Sequence, residues 1–389
     1  MFDATDPSPQ YELAWPRELF VAEATALLED SSNPSWLEDA ELLLEEAFTR
    51  SAPKEDLRKA KSYDLPFALL RDNGSASPKK VACAFLTHLV NCADKLPERS
   101  EWRPYWAARR AALAASTQST KQRRLRKALG AGPLQQDWVR LVEDLHDHGY
   151  LDCLAPQGCV AEPADKSAAE VLAAELTRSL HVETRWPLQQ EDWDSDTFYS
   201  LVEVVHDIVA RPRHRHRHNI SGCGWHYSNF APTPAQVLYR WDVDQLLNRY
   251  DAGLRLADAG EDKGRLVHAA GDDRDELVQR VLNSPEVKVR DLVDHAVAQF
   301  RGRGATFLAK REATKTLADV LEHRKRLLKA ELFSKDEDAL FHIANAFEIR
   351  HINERQKGDY DPAFLDWVFW WYLATIELTD RLLARQADL

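Results

Sequence analysis

Apolar residues recur at intervals of three and four along most of this chain, the spacing that lines one face of an α-helix. Over residues 14–115 the pattern predicts four helices: WPRELFVAEATALLED, SWLEDAELLLEEAFTR, KKVACAFLTHLVNCADKL and EWRPYWAARRAALAAS. Asp72-Asn73-Gly74 and the Ser and Pro residues after it mark a loop between the second and third. Further helices follow in DWVRLVEDLHDHG, with Gly149 as its C-cap, and in SAAEVLAAELTRSLH. FYSLVEVVHDIVA stops before Pro212, and LYRWDVDQLLNRY comes next. The one β-element the pattern predicts is a hairpin over GLRLADAGEDKGRLVHA. Leu254, Leu256, Leu266 and Val267 are its apolar positions and AGEDKG is its turn. From Glu276 the chain is helical again, through ELVQRVLNS, VKVRDLVDHAVAQFRGRG and TFLAKREATKTLADVLEHRKRLLKAEL, the last with Thr306 as N-cap. A closing helical pair runs from Ser334 to Gln386. Ser334-Lys335-Asp336-Glu337 is a capping box for its first helix, and Asp361-Pro362 starts its second.

These elements predict a mainly all-α fold. Its parts are an N-terminal helical domain (1–115), a linker with a small helical region (116–197), and a central helical module with the β-hairpin (198–283). A four-helix bundle over 284–389 closes the chain. The 389 residues are enough for two or three such domains. Residues 116–135 change composition to Ser, Thr, Lys, Arg and Gly. Lys121, Arg123, Arg124, Arg126 and Lys127 there read as a solvated linker sooner than as a phosphate contact.

The formal charge of −12 argues against a protein-wide grip on nucleic acid. Residues 284–389 hold 17 Lys and Arg against 18 Asp and Glu, so the acidic excess lies before the C-terminal bundle. Five scattered cysteines suit a reducing compartment. With no secretory-type leader in the first residues and no apolar run long enough to span a bilayer, the expectation is a cytoplasmic protein without membrane contact.

RHRHRHNISGCGWHYSNFAPTP is the most unusual stretch and reads as a loop. His214, His216, His218, Cys223 and His226 are metal-capable, and histidines two apart would share one side of an extended strand. The interleaved arginines would repel a cation, and no acidic or second Cys ligand completes a familiar zinc pattern. No metal is therefore assigned. Arg211, Arg213, Arg215 and Arg217 are instead candidate nucleic-acid contacts.

Between the two closing helices lies a polar island, Arg350-His351-Ile352-Asn353-Glu354-Arg355-Gln356. At about 3.6 residues per turn, Leu340, Ala344, Phe347 and His351 share a face. Trp367, Phe369, Trp370, Trp371 and Tyr372 surround the last helix, which marks it as central to the bundle or shared with a second subunit. Read alone, Asn345 and Arg350 can cap a helix end with His351 as a core histidine; equally, they can form a site.

NAFEIRHIN (Asn345 to Asn353), Gln356, the Tyr360-Asp361-Pro362 run and the aromatic last helix together resemble the C-terminal HEPN-like domains of bacterial abortive-infection and toxin proteins. That resemblance covers about the last 100 residues of the chain. It implies a helical bundle that dimerises, and an endoribonuclease that needs no metal or other cofactor. Arg, His and a nearby polar residue would meet across the dimer cleft, which maps onto Asn345, Arg350 and His351. The family separates its Arg and His by several residues, whereas Arg350 is followed directly by His351. Arg290 and His295 have a spacing within the family's range inside the bundle and are the alternative catalytic pair; Arg140–His146 and Arg211–His216 also fall within that range elsewhere. The resemblance implies an antiphage-defence effector with RNA as substrate, a homodimer through the C-terminal bundle, and a partner protein of the same defence system. Two other readings stand beside it. One is a non-catalytic all-α interaction or sensor protein of a defence or toxin–antitoxin system. The other is a nucleic-acid-binding regulator using the hairpin and the His/Arg segment.

Overall fold

A computed structural model describes residues 9–30, 32–61, 78–98, 132–156, 166–189, 193–218, 223–331 and 361–387. Among the described residues the fold is mainly all-α, with thirteen helices and two small antiparallel sheets of two strands each. The chain divides into two units, Met1–Tyr250 and Asp251–Leu389.

The first unit opens with α1 (Arg17–Glu29), α2 (Trp36–Ala47), α3 (Ala52–Lys61) and α4 (Pro78–Asn91). Phe20, Trp36, Leu43 and Leu86 are sealed between them, each at most 2% exposed. Burying each such side chain contributes about 1.5–3 kcal/mol. Trp36 keeps its one donor satisfied by giving Nε1–H to the Leu27 carbonyl at 2.7 Å. The helix α3 was not foreseen, because its sequence APKEDLRKAK offers Leu57 as its buried apolar residue and little periodicity besides. The predicted helix EWRPYWAARRAALAAS and the basic cluster Lys121–Lys127 lie outside the described residues.

Next come α5 (Gly132–Asp147), α6 (Ala168–Leu180) and α7 (Ser195–Ile208), and later α8 (Pro232–Arg249). Ser167 and Glu170 form a full capping box on α6, and Asp194 caps α7 by accepting from Thr197 N–H at 2.7 Å. α5, α7 and α8 meet at a buried relay. Trp138 Nε1–H donates to Tyr239 Oη at 2.8 Å, and that hydroxyl donates to the Val202 carbonyl at 3.0 Å. Phe198 stands edge-on to Trp138 at 5.5 Å. Each polar atom in this apolar interior thus has a partner, as burial requires.

After α7 the chain enters β1 (Arg211–His218), which pairs antiparallel with β2 (Gly224–Ala231), His216 facing His226 and Arg215 facing Tyr227. The segment read as a loop is therefore a β-ribbon, a second one beside the predicted hairpin. Its strands carry no apolar alternation, so the usual signal is missing. Their period of two is written in Arg against His. Gly149, at φ 78° just past α5, lets the Tyr227 ring lie where a side chain would otherwise stand.

The second unit begins with the predicted hairpin, β3 (Leu254–Leu256) and β4 (Leu266–His268), whose four named apolar residues are all buried. The hairpin and α9 (Asp272–Leu282), grouped by the sequence reading with the central module, belong to this unit. α10 (Val287–Arg301), α11 (Phe307–His323), the short α12 (Lys325–Glu331) and α13 (Pro362–Ala387) complete it. α9, α10, α11 and α13 pack in a closed ring around Val293, Val297, Phe300, Leu317, Leu321, Phe369 and Leu373. Phe300 stacks on Phe369 with ring centres 3.7 Å apart. Thr306 caps α11 and Asp361 caps α13, as their positions in the sequence indicate. No described helix is long and apolar enough to cross a membrane.

Candidate functional site

The richest concentration of ionisable side chains among the described residues is the β1–β2 ribbon, and strand alternation sorts it into two faces. Arg211 opens the arginine face from a fully enclosed position. Its Nη1 reaches Glu23 of α1 at 2.8 Å, its Nε reaches Glu46 of α2 at 2.9 Å, and its guanidinium lies 4.8 Å over the Trp15 ring. Arg213 grips Glu23 with two bonds, 2.7 and 3.0 Å, the fork geometry that suits a carboxylate. Burial is the main influence on Glu46 and raises its carboxyl above the ordinary range, against the pull of Arg211. Further along, Arg215 pairs with Glu45 at 2.5 Å and lies 4.4 Å over Trp225, with Arg217 5.9 Å from the same ring.

Burial alone would raise Glu45, but hydrogen bonds from Arg215 and Lys54 outweigh it and hold the carboxyl below its usual range. With the folded value lowered, the pair stabilises the fold above the ordinary Glu range near about 4.3, and this contribution is lost as pH falls through the folded value. Arg215→Ala should therefore be less stable than wild type by up to about 1 kcal/mol at neutral pH, and the gap should close in acid. Urea midpoints at about pH 7 and about pH 3 check this. A gap that persists in acid would mean that Arg215 acts through Trp225 and not through Glu45.

The opposite face carries the histidines. His214 Nδ1 lies 2.7 Å from Asp39 Oδ1, so Nδ1 bears the proton, since a carboxylate offers acceptors alone. Asn33 donates to the other oxygen of Asp39 at 2.7 Å. Asp30, Asn33, Asp39, His214, Ser228 and Asn229 border an open cleft of about 440 Å³ between the α1–α2 turn and the ribbon. His216 stacks on His226 at 5.3 Å and 20°. Towards the ribbon tip, His218, Cys223 and His226 bring their ligand atoms within 4.8 Å of one another, with Cys223 Sγ 3.0 Å from His226 Nε2. These three are the described residues whose donors converge as metal ligands would.

Asn345, Arg350 and His351 lie outside the described residues. Arg290 and His295 both lie on α10, but five residues place them about 140° apart around the helix. Each turns to its own acid, Arg290 Nε 3.9 Å from Asp291 and exposed His295 2.9 Å from Glu261. The fold does not bring this pair together within one chain. Arg211, Arg213, Arg215 and Arg217 do gather on one face. The first three, however, are engaged by Glu23, Glu46 and Glu45, so a phosphate would have to displace carboxylates to reach them. Glu23, Asp39 and Glu46 were not singled out in the sequence. They meet the ribbon from 165 to 190 residues away, and no local pattern reports such pairings. No family model, curated protein or solved structure matches the chain.

Proposed function

We propose that the chain is an antiphage-defence effector of the abortive-infection type, a metal-independent endoribonuclease acting as a homodimer through its C-terminal bundle. The reading rests on the resemblance to HEPN-like domains carried by Asn345–Asn353, Gln356 and Tyr360–Pro362. The observation that favours it is the outer stripe of α13. Phe364, Trp367, Trp371, Ala374 and Leu378 follow one another at intervals of three and four. Trp367 is 50% exposed and Phe364 49% exposed. Trp367 and Trp371 stack at 5.6 Å into one aromatic plate. Such a seam on a bundle whose inner face is already filled by Phe369, Tyr372 and Leu373 suits a second copy of the same helix.

The chemistry needs little equipment. RNA brings its own 2′-hydroxyl nucleophile, so a histidine to move a proton and an arginine to balance the phosphorane charge suffice. His351 takes the first role and Arg350 the second, with Asn345 orienting the phosphate. The test is cleavage of total RNA by the full chain in the presence of EDTA. Wild type should cut, and Arg350→Ala and His351→Ala should not. Equal cutting by these variants would move the assignment to the alternative pair, Arg290 and His295. No cutting by wild type would leave the non-catalytic interaction protein as the better description.

A further inference from the structure

We propose that His218, Cys223 and His226 form a zinc site that clasps the tip of the β1–β2 ribbon. The inference concerns the N-terminal unit alone and does not rest on the ribonuclease reading. Tetrahedral zinc with bonds of about 2.0–2.1 Å to nitrogen and about 2.3 Å to sulfur spaces its ligand atoms about 3.3–3.7 Å apart. The three donors already lie within 4.8 Å of one another. Closing around an ion therefore needs a shift of about 1 Å, within the reach of half-buried side-chain rotamers.

The objection raised by the sequence, that interleaved arginines would repel a cation, is removed by the fold. Arg213 and Arg215 point to the other face and are held there by Glu23 and Glu45, and Arg215 and Arg217 lie over Trp225. On the histidine side the ring of His216 backs His226 at 5.3 Å, a second layer that fixes the orientation of a ligand ring.

Cys223 needs a separate explanation, because in a regular strand residues 223 and 226 point to opposite faces. Gly224 stands between them at φ 90°, a conformation that breaks the alternation and brings Cys223 Sγ to 3.0 Å from His226 Nε2. One thiolate and two imidazoles are a donor set for zinc and a poor one for magnesium or calcium, which take oxygen ligands. Three protein ligands leave the fourth position to water. A two-stranded ribbon is marginal by itself. A metal joining the last residue of β1 to both sides of the start of β2 supplies the closure that its tip otherwise takes from one pair of strands.

The experiment uses the full chain without a polyhistidine tag, loaded with zinc and dialysed, with metal per chain read by elemental mass spectrometry. One zinc per wild-type chain is expected, with affinity falling by at least about tenfold in Cys223→Ser and in His226→Ala. Cys153→Ser, which alters an exposed cysteine outside the ribbon, should bind as wild type does. Cobalt in place of zinc should give a thiolate charge-transfer band that Cys223→Ser abolishes while the helical circular dichroism stays unchanged. Wild type that retains no stoichiometric zinc, or Cys223→Ser and His226→Ala that retain as much as wild type, would overturn the proposal. The cobalt band on wild type decides the matter even if a variant fails to fold.

Discussion

Arg211→Met should lower the stability of the N-terminal unit by about 3–5 kcal/mol, the effect of stranding a buried charge. The side chain is 3% exposed and lies between Glu23 and Glu46, which are 7% and 4% exposed. Glu23 keeps Arg213 when Arg211 is lost, at 2.7 Å. Glu46 would retain only the weaker attraction of His148 and Arg215, and its Oε1 already makes no hydrogen bond. Its carboxyl stands above the ordinary range because of burial, and without Arg211 it should rise further. The sign follows: a raised folded value favours the fold when the group is protonated, so the deficit is full at neutral pH and shrinks as pH falls. Hydrogen exchange in peptides from α1 and α2 reads the loss where it occurs, without assuming that the whole chain unfolds in one step. The pair Arg211→Met with Glu46→Leu should recover most of it, because an apolar pair of similar volume avoids the stranded charge. A deficit below about 1 kcal/mol in the single variant, or no recovery in the double, would show that water reaches Glu46.

The C-terminal unit holds a counterpart. Arg301, at the end of α10, forks onto Asp262 in the β3–β4 turn with bonds of 2.8 and 3.0 Å, and both side chains are at most 6% exposed. Arg301→Met should cost about 3–5 kcal/mol, again by leaving a carboxylate buried without its cation. The loss should appear first in exchange of the β3–β4 turn, since the guanidinium anchors that turn to the helix. It should spread less to α11 and α13, which are joined by their apolar core and by Arg324, not by Arg301. Uniform loosening of the bundle would mean instead that Arg301 holds the helices together and not the turn.

Much of the helical architecture was legible because its signal is local. Thr306 and Asp361 announce helix starts by side-chain chemistry, and Leu254, Leu256, Leu266 and Val267 announce a hairpin by their spacing. The ribbon was not legible as strand because its alternation is Arg with His, and strand reading looks for apolar with polar. α3 was missed for a related reason, having a single well-buried leucine. At Arg290 and His295 the spacing was legible, but not that five residues along one helix set the two side chains about 140° apart. The candidate ligands His218, Cys223 and His226 were visible only as members of a group of five with His214 and His216. Which neighbours would repel an ion was not, because that depends on which face each arginine takes. The acidic partners from α1 and α2 could not have been found, since ion pairs across 165 to 190 residues leave no trace in either segment.

The same alternation bears on unwanted pairing along the edge of β1. Exposed strand edges are templates for indiscriminate pairing, and proteins guard them with charge and with proline. β1 begins Arg211-Pro212-Arg213 and continues with a cation-capable side chain at every position to His218. Pro212 cannot donate to a neighbouring strand, which interrupts any ladder laid along β1. The charges and proline that hide the ribbon from a reading of apolar alternation are thus also features that guard a strand edge.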